Sequence, residues 1–266
     1  MAYAKHSGDG RLGEMQDPKH ILQVKDIYKD FEGLKVLTGV DFDVKQSEKH
    51  AVIGPNGAGK TTLFNIVSGK YKPSSGSIIF KGEDISGRSP YALTRMKISR
   101  SFQITNVFQE LNVFENVRAG VRCCYGLRYN FLRKPGSIPE VNEKTENILA
   151  LVGLAEAKET PARELSYGQQ RALEIAVTLS TEPELILLDE PTAGMTREET
   201  VEAIKMIDKV TENRTLIIIE HDMDVVFSLA DTISVLHNGS ILVSGRPEEI
   251  RQDQRVKDAY LGEEAD

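Results

Sequence analysis

The stretch GPNGAGKTT, Gly54 to Thr62, places three glycines, one lysine and two threonines in nine residues. A packed core has no use for that composition, but a chain of phosphates does. Gly54, Gly59, Lys60 and Thr61 meet the spacing G-x-x-x-x-G-K-[ST] of a phosphate-binding loop. Glycines let the backbone curl so that successive N–H groups point inward at anionic oxygens. The whole run of Gly54, Pro55, Asn56, Gly57, Ala58, Gly59, Lys60, Thr61 and Thr62 is therefore the candidate nucleotide-binding segment. Lys60 is placed to reach the outer phosphates, and Thr61 offers a hydroxyl to Mg²⁺.

The flanks of the loop agree with this. HAVIG, His50 to Gly54, reads as a short buried strand running straight into the glycines. KTTLFNIVSG, from Lys60, reads as a helix that Gly69 terminates. A helix start directly behind the loop adds its positive end to the site. A glycine-rich turn that happens to precede a lysine needs neither flank.

Further out, Ile21 to Asp43 alternates as two strands turning at Gly33. KPSSG is a turn, and SIIFKGEDI is strand-like after it. From about Ser89 to Ser180 the strands stop and helical spacing takes over. A Gly-, Pro- and Tyr-rich stretch lies between Tyr125 and Pro139. This section reads as a helical subdomain inserted into an α/β domain. After Pro183 come a buried strand, ELILLD, a helix from about Arg197 to Glu212, and a second apolar strand, TLIIIEH. Strands apolar throughout suit a parallel sheet covered on both faces. ISVLHNGSILVSG then reads as a hairpin through Asn238-Gly239.

Two of these strands end in chemistry. LILLDE closes an apolar run with two carboxylates, and the carboxyl ends of parallel strands are where such sheets bind ligands. Asp189 is the candidate for holding Mg²⁺, directly or through water. Glu190 is the candidate for polarising the attacking water. A strand that merely ends at the surface before Pro191 is the alternative for both. His221 follows TLIIIE and reads either as a solvated histidine at a loop start or as a third group at the same edge. In the second case its N–H contacts the γ-phosphate and holds Glu190 and the water in line.

LSYGQQR, Leu165 to Arg171, starts a helix expected over Tyr167 to Leu179. Ser166 and Gln169 have capping-box spacing. A capped helix start carrying Ser166 and Gly168 is also a second phosphate-binding cap. One chain has one phosphate loop, so this cap suits a nucleotide held by another copy.

LSYGQQ resembles the signature motif of ATP-binding cassette proteins, and further elements match that family in order. GPNGAGKT resembles Walker A, LILLDE resembles Walker B with its catalytic glutamate, and His221 matches the switch histidine. Gln103 in SRSFQ matches the Q-loop glutamine, a ligand of Mg²⁺ or of the attacking water. Phe31 corresponds to the aromatic that stacks on adenine. AGMT, Ala193 to Thr196, lies where the D-loop belongs, with Thr196 at a position that commonly carries Asp. The resemblance runs from about Ile21 to the end of the chain. It implies an α/β fold: a P-loop NTPase core with a mixed, largely parallel sheet, an antiparallel β subdomain and an inserted α-helical subdomain. Residues 1–18 are expected to be a disordered tail, and 19–266 one ATPase domain. The core would take about 19–98 and 181–266, and the helical subdomain about 99–180. Lys60, Gln103, Glu190 and His221 are then the catalytic group, with Thr61, Gln103 and Asp189 at Mg²⁺. Ser166, Gly168 and Gln169 would meet the ATP of a second ATPase subunit.

The insertion around Arg122 to Thr145, the loop QELNVFENV and the ending DAYLGEEAD together resemble the ATPase subunits of branched-chain amino-acid importers. Lipopolysaccharide-export ATPases share a similar tail without so long an insertion. A soluble cassette that switches conformation in translation or DNA repair is the rival from another class. Such proteins usually join two cassettes or carry coiled-coil or basic insertions, and this chain has neither.

Composition agrees with the transporter reading. The 266 residues carry 33 basic and 40 acidic side chains, a net charge of -7, which argues against nucleic-acid binding. The N-terminal twenty residues hold no apolar core, so they are not expected to act as a secretory signal, and no apolar run approaches a membrane span. Any membrane spans must come from permease subunits, with a periplasmic or extracellular solute-binding protein completing the system. The chain itself would lie on the cytoplasmic face of the inner membrane. Adjacent Cys123 and Cys124 read as reduced thiols. Ile104, Val107, Phe108, Leu111, Val113 and Phe114 follow Gln103 more densely than a loop requires. Most are expected in the local core, and some in a groove that receives a short helix from a membrane partner.

Overall fold

The computed structural model describes residues 20–101, 107–124 and 139–261. The expectations for residues 1–18, for the stretch between Tyr125 and Pro139, for Gln103 and Ile104, and for the last five residues fall outside that range. Its strands are β1 (His20–Phe31), β2 (Leu34–Lys45), β3 (Lys49–Ile53), β4 (Ser75–Phe80), β5 (Glu83–Asp84), β6 (Ile98–Arg100), β7 (Leu185–Asp189), β8 (Thr215–Ile219), β9 (Thr232–His237) and β10 (Ser240–Gly245). They form two sheets. An antiparallel sheet has the order β2-β1-β4-β5, and a six-stranded sheet the order β10-β9-β3-β8-β7-β6. In the larger sheet β9, β3, β8, β7 and β6 run parallel, and β10 closes the edge antiparallel.

Period-two alternation in fully buried strands explains why this sheet has two cores. Ala51 and Ile53 of β3, Ile186 and Leu188 of β7, and Leu216 and Ile218 of β8 face one cluster. That cluster also holds Val117, Leu149, Leu173 and Ile207 from the helices. Val52, Leu185, Leu187, Ile217 and Ile219 face the other, with Val24, Ile27, Val40, Phe64 and Ile66. Both faces need apolar residues, so these strands show no polar alternation.

The helices are α1 (Lys60–Val67), α2 (Pro90–Arg95), α3 (Val113–Cys124), α4 (Pro139–Leu151), α5 (Tyr167–Leu179), α6 (Arg197–Val210), α7 (Met223–Leu229), α8 (Pro247–Gln252) and α9 (Gln254–Leu261). The hairpin between β9 and β10 turns through Asn238 (φ 48°) and Gly239 (φ 79°), the left-handed pair its sequence promised. One strand departs from the sequence reading. β6 lies inside the section read as strand-free and pairs with β7, Ile98 opposite Leu185 and Arg100 opposite Leu187. Three residues ending in a serine and an arginine are too short to show a period.

Candidate active site

The parallel strands β3, β8, β7 and β6 release the chain at one sheet edge, and the candidate residues gather there. β3 runs into the glycine loop. Gly54 has φ +152°, and a Cβ there would fall 2.0 Å from the Leu236 carbonyl oxygen. Gly59 has φ +105°, and its Cβ would fall 2.7 Å from Leu37 Cδ2. Both positions admit only glycine. Gly59 is also the N-cap of α1 and offers no side-chain cap, so the helix start keeps its N–H groups for an anion. The Lys60 ammonium donates to the carbonyls of Gly54 (2.6 Å) and Pro55 (2.8 Å), folding the side chain back across the loop. Thr61 is exposed.

β7 delivers Asp189 and Glu190. Asp189 is buried, and its Oδ2 accepts a 2.7 Å bond from Arg100 Nη2 at the end of β6. Arg100 Nη1 donates to Asn65 Oδ1 (2.7 Å) and Ser68 Oγ (2.9 Å) on α1, and the guanidinium lies over the Phe64 ring. One largely buried arginine, its side chain 10% exposed, thus ties the carboxylate of β7 to the helix behind the phosphate loop. The sequence reading missed it, because the three residues Ile-Ser-Arg of β6 carry no pattern that marks a strand end.

Glu190 is half-buried with φ +46°, and its N–H donates to the Ile219 carbonyl at 2.9 Å. β8 ends beside it, and His221 Nδ1 stands 3.9 Å from Glu190 Oε1. Glu220, also unread in the sequence, is fully buried between β8 and His221. The structure therefore brings together the glycine loop, Asp189, Glu190 and His221, as their strand ends suggested.

It keeps the second cap apart. Ser166 caps α5 with the full capping box: its Oγ accepts from Gln169 N–H, and Gln169 Oε1 accepts from Ser166 N–H at 3.0 Å. Gly168 and Gln169 line a groove with Met195, Glu198 and Glu199, and no residue of Gly54–Thr62 lines it. Thr196 is the N-cap of α6 in a second capping box, with Glu199 accepting from its N–H at 2.9 Å. The backbone and side-chain bonds from Thr196 hold the Glu199 carboxyl below its usual range. Threonine caps a helix as aspartate does, which accounts for the departure at this position locally. Phe31 ends β1 exposed, its ring edge-on to Tyr71 at 5.5 Å and Lys29 over its face. Gln103 lies outside the described residues.

The donor set also defines what metal it suits. Thr61 and Asp189 are hard oxygen donors, and the Arg100 bond engages one carboxylate oxygen and leaves the other. Among the described residues no group of three or more His, Cys, Asp and Glu could hold an ion alone. Few protein oxygens beside a phosphate cradle fit Mg²⁺, which keeps waters and shares phosphates, better than a closed cage metal.

Comparison with known proteins places the chain in a family. A family profile for the ABC transporter matches residues 37–193, and one for the branched-chain amino acid ATP-binding cassette transporter matches residues 240–266. The high-affinity branched-chain amino acid transport ATP-binding protein LivG of Salmonella typhimurium is 38% identical over 250 residues, 91% of this chain and 98% of the relative. BraF of Pseudomonas aeruginosa, of the same description, is 38% identical over 252 residues, again 91% and 98%. The crystal structure of MJ1267, an ATP-binding cassette of an ABC transporter in its ADP conformation, superposes with a TM-score of 0.82 at 32% identity, covering 91% of this chain and 99% of that one. The chain belongs to the ATP-binding cassette family of transporter ATPases.

Proposed function

We propose that this chain is the ATP-hydrolysing subunit of an importer of branched-chain amino acids or similar small solutes. It works on the cytoplasmic face of the membrane, through separate permease subunits fed by a solute-binding protein. The cargo class is supported by the C-terminal match over 240–266 and by what LivG and BraF transport. Among the described residues no helix is long and apolar enough to cross a membrane, and in this reading the permease subunits supply the path for solute. The observation that carries the catalytic reading is the gathering of Gly54–Thr62, Asp189, Glu190 and His221 at the carboxyl edge of one parallel sheet.

In this reading the loop N–H groups and the start of α1 hold the phosphates of ATP, and Lys60 leaves its two carbonyls to bind the outer ones. Phe31 presents its ring to adenine. Thr61 and Asp189 would hold Mg²⁺, which when bound neutralises charge on the phosphates. Glu190 orients the attacking water and accepts its proton. His221, already beside Glu190, donates to the γ-phosphate and keeps the two in line. Gln103 contacts the metal or the water and links the site to the helical subdomain. Ser166, Gly168 and Gln169 take the phosphates of an ATP on a second copy, so that two chains close around two nucleotides. Their separation from the phosphate loop of their own chain supports this arrangement.

Two experiments test it. Deleting the gene should abolish uptake of labelled leucine, isoleucine or valine, and the wild-type gene but not Lys60→Ala should restore it. Unchanged uptake of all three would remove the cargo assignment. Mixing Ser166→Arg chains with Lys60→Ala chains should recover part of the ATPase activity that each lacks, because some mixed dimers keep one intact site. Absence of recovery at every ratio, with mixed dimers demonstrated, would confine the site to one chain.

A further inference from the structure

The catalytic reading leaves Glu220 without a role, although it is fully buried one residue from His221. Its Oε1 accepts from the backbone N–H of Thr192 (3.0 Å) and from the Thr192 hydroxyl (2.6 Å). Its Oε2 accepts from the backbone N–H of His221 at 3.2 Å. A buried carboxylate gathering three donors is a fixed post. What it fixes is the loop that leaves Glu190.

The next residue of that loop is fixed from the other side. The Ala193 carbonyl accepts from the Tyr167 hydroxyl at 2.7 Å. Tyr167 is the first residue of α5, next to the Ser166 cap. The hydroxyl in turn accepts from Arg171 Nη2 (2.9 Å), and that guanidinium lies over the tyrosine ring. Arg171 Nη1 donates to Glu174 Oε2 (2.9 Å), and both residues are buried. Burial alone pulls the Arg171 guanidinium down, but its bonds to Glu174 and Tyr167 hold it above the usual arginine range. Gly194, at φ +79°, lies beneath the tyrosine, where a Cβ would stand 3.3 Å from the hydroxyl.

Glu190 needs such support. Its φ of +46° is uncommon for a side chain of this kind and persists only where the surroundings enforce it. Its carbonyl accepts from Ala193 N–H at 3.2 Å, so the turn that sets its backbone includes the residue Tyr167 holds.

We propose that Tyr167 and Glu220 are positioning residues for ATP hydrolysis: by pinning Ala193 and Thr192 they hold Glu190 in its left-handed conformation and at a fixed place relative to the Ser166 cap. The hydrolytic carboxylate and the signature helix of one chain then move as one piece. The helix serves the nucleotide of the second copy while Glu190 serves its own. The state of one site is therefore felt at the other through a hydroxyl and a carbonyl within a single chain. This rests on the roles proposed above for Glu190 and Ser166.

The test uses the purified full chain, three single variants and one double variant. Tyr167→Phe removes one hydroxyl, Thr192→Val removes the other, and Glu190→Gln is the control. Each single loop variant should lower kcat about tenfold, the worth of one hydrogen bond present at the transition state. ATP affinity measured in EDTA with a fluorescent nucleotide and KM for ATP should stay at wild-type values, and each variant should remain folded at the assay temperature, its melting temperature falling by about 2–6 °C. Because both bonds fix one loop, the Tyr167→Phe, Thr192→Val double variant should be no slower than the slower single one. Wild-type kcat in both singles, or a double variant whose loss is the product of the two, would overturn the inference. So would a fall in kcat that only follows a loss of folded protein. The control separates the premises: full turnover by Glu190→Gln sinks the catalytic reading itself. A stalled Glu190→Gln beside fully active Tyr167→Phe and Thr192→Val sinks this inference alone.

Discussion

Replacing Arg100 with methionine should destabilise the protein by about 3–5 kcal/mol, the cost of removing one partner from a buried ion pair. The structure supports a value in that range. The side chains of Arg100 and Asp189 are 10% and 5% exposed and meet at 2.7 Å. Methionine fills a similar volume over Phe64, so the loss is mainly electrostatic rather than a cavity. It leaves the Asp189 carboxylate buried without its cation, and Asn65 Oδ1 and Ser68 Oγ without this donor. At about 2 °C per kcal/mol for a chain of this size, the melting temperature should fall by about 6–10 °C. The assay is denaturant unfolding of a double-mutant cycle in the absence of nucleotide. Asp189→Asn placed in the Arg100→Met background removes the stranded charge and should return at least about 1.5 kcal/mol. If the two substitutions prove additive, or if Arg100→Met costs less than about 1 kcal/mol, the clamp does not hold Asp189 as described.

Lys60→Ala should weaken ATP binding by at least about tenfold, since one charge-assisted bond to phosphate contributes about 1.5–3 kcal/mol; titration with a fluorescent nucleotide reads it, and unchanged affinity would remove Lys60 from the site. Glu48→Gln tests the base of β3. Burial pushes the Glu48 carboxyl up, but hydrogen bonds from His50, Thr232 and the Lys45 N–H outweigh it and lower it to about 2. A depressed carboxyl stabilises the fold fully above its ordinary value of 4.5 and loses that contribution as pH falls toward 2. The variant should therefore be about 2–3 kcal/mol less stable than wild type at pH 7, with the gap closing below pH 4.5, as urea melts at several pH values would show. Phe108 is 62% exposed while Val113 nearby is fully buried. Phe108→Asp should leave ATP binding by the isolated subunit intact and weaken assembly with the membrane subunits in a pull-down; normal assembly would place the docking surface elsewhere.

Much of the site was legible because its chemistry is local in sequence. The glycine loop sits between its own strand and helix, and the capping box of Ser166 with Gln169 closes within four residues; the box of Thr196 with Glu199 is equally local but went unread. Asp189 and His221 were readable because an apolar strand that ends in a polar side chain announces a sheet edge. What escaped was contact between distant segments. Arg100 reaches Asp189 across 89 positions, and Glu220 reaches Thr192 across 28. Neither residue belongs to a period or a spacing. Tyr167 was visible as part of the helix start, but only the folded chain shows that its hydroxyl meets Ala193. β6 was lost for a related reason: its identity as a strand comes from β7 beside it, not from its own three residues.

If ATP is hydrolysed at the sheet edge by Glu190, Glu190→Gln must stop the chemistry and leave binding intact. The amide keeps the shape of the side chain and removes the charge that accepts the proton of water. Single-turnover hydrolysis and ATP binding should be measured on the same purified variant. Expected are wild-type ATP affinity, hydrolysis slowed at least about hundredfold, and accumulation of an ATP-bound dimer on gel filtration. Hydrolysis at the wild-type rate by this variant would remove Glu190 from the chemistry, because some other group would then be activating the water.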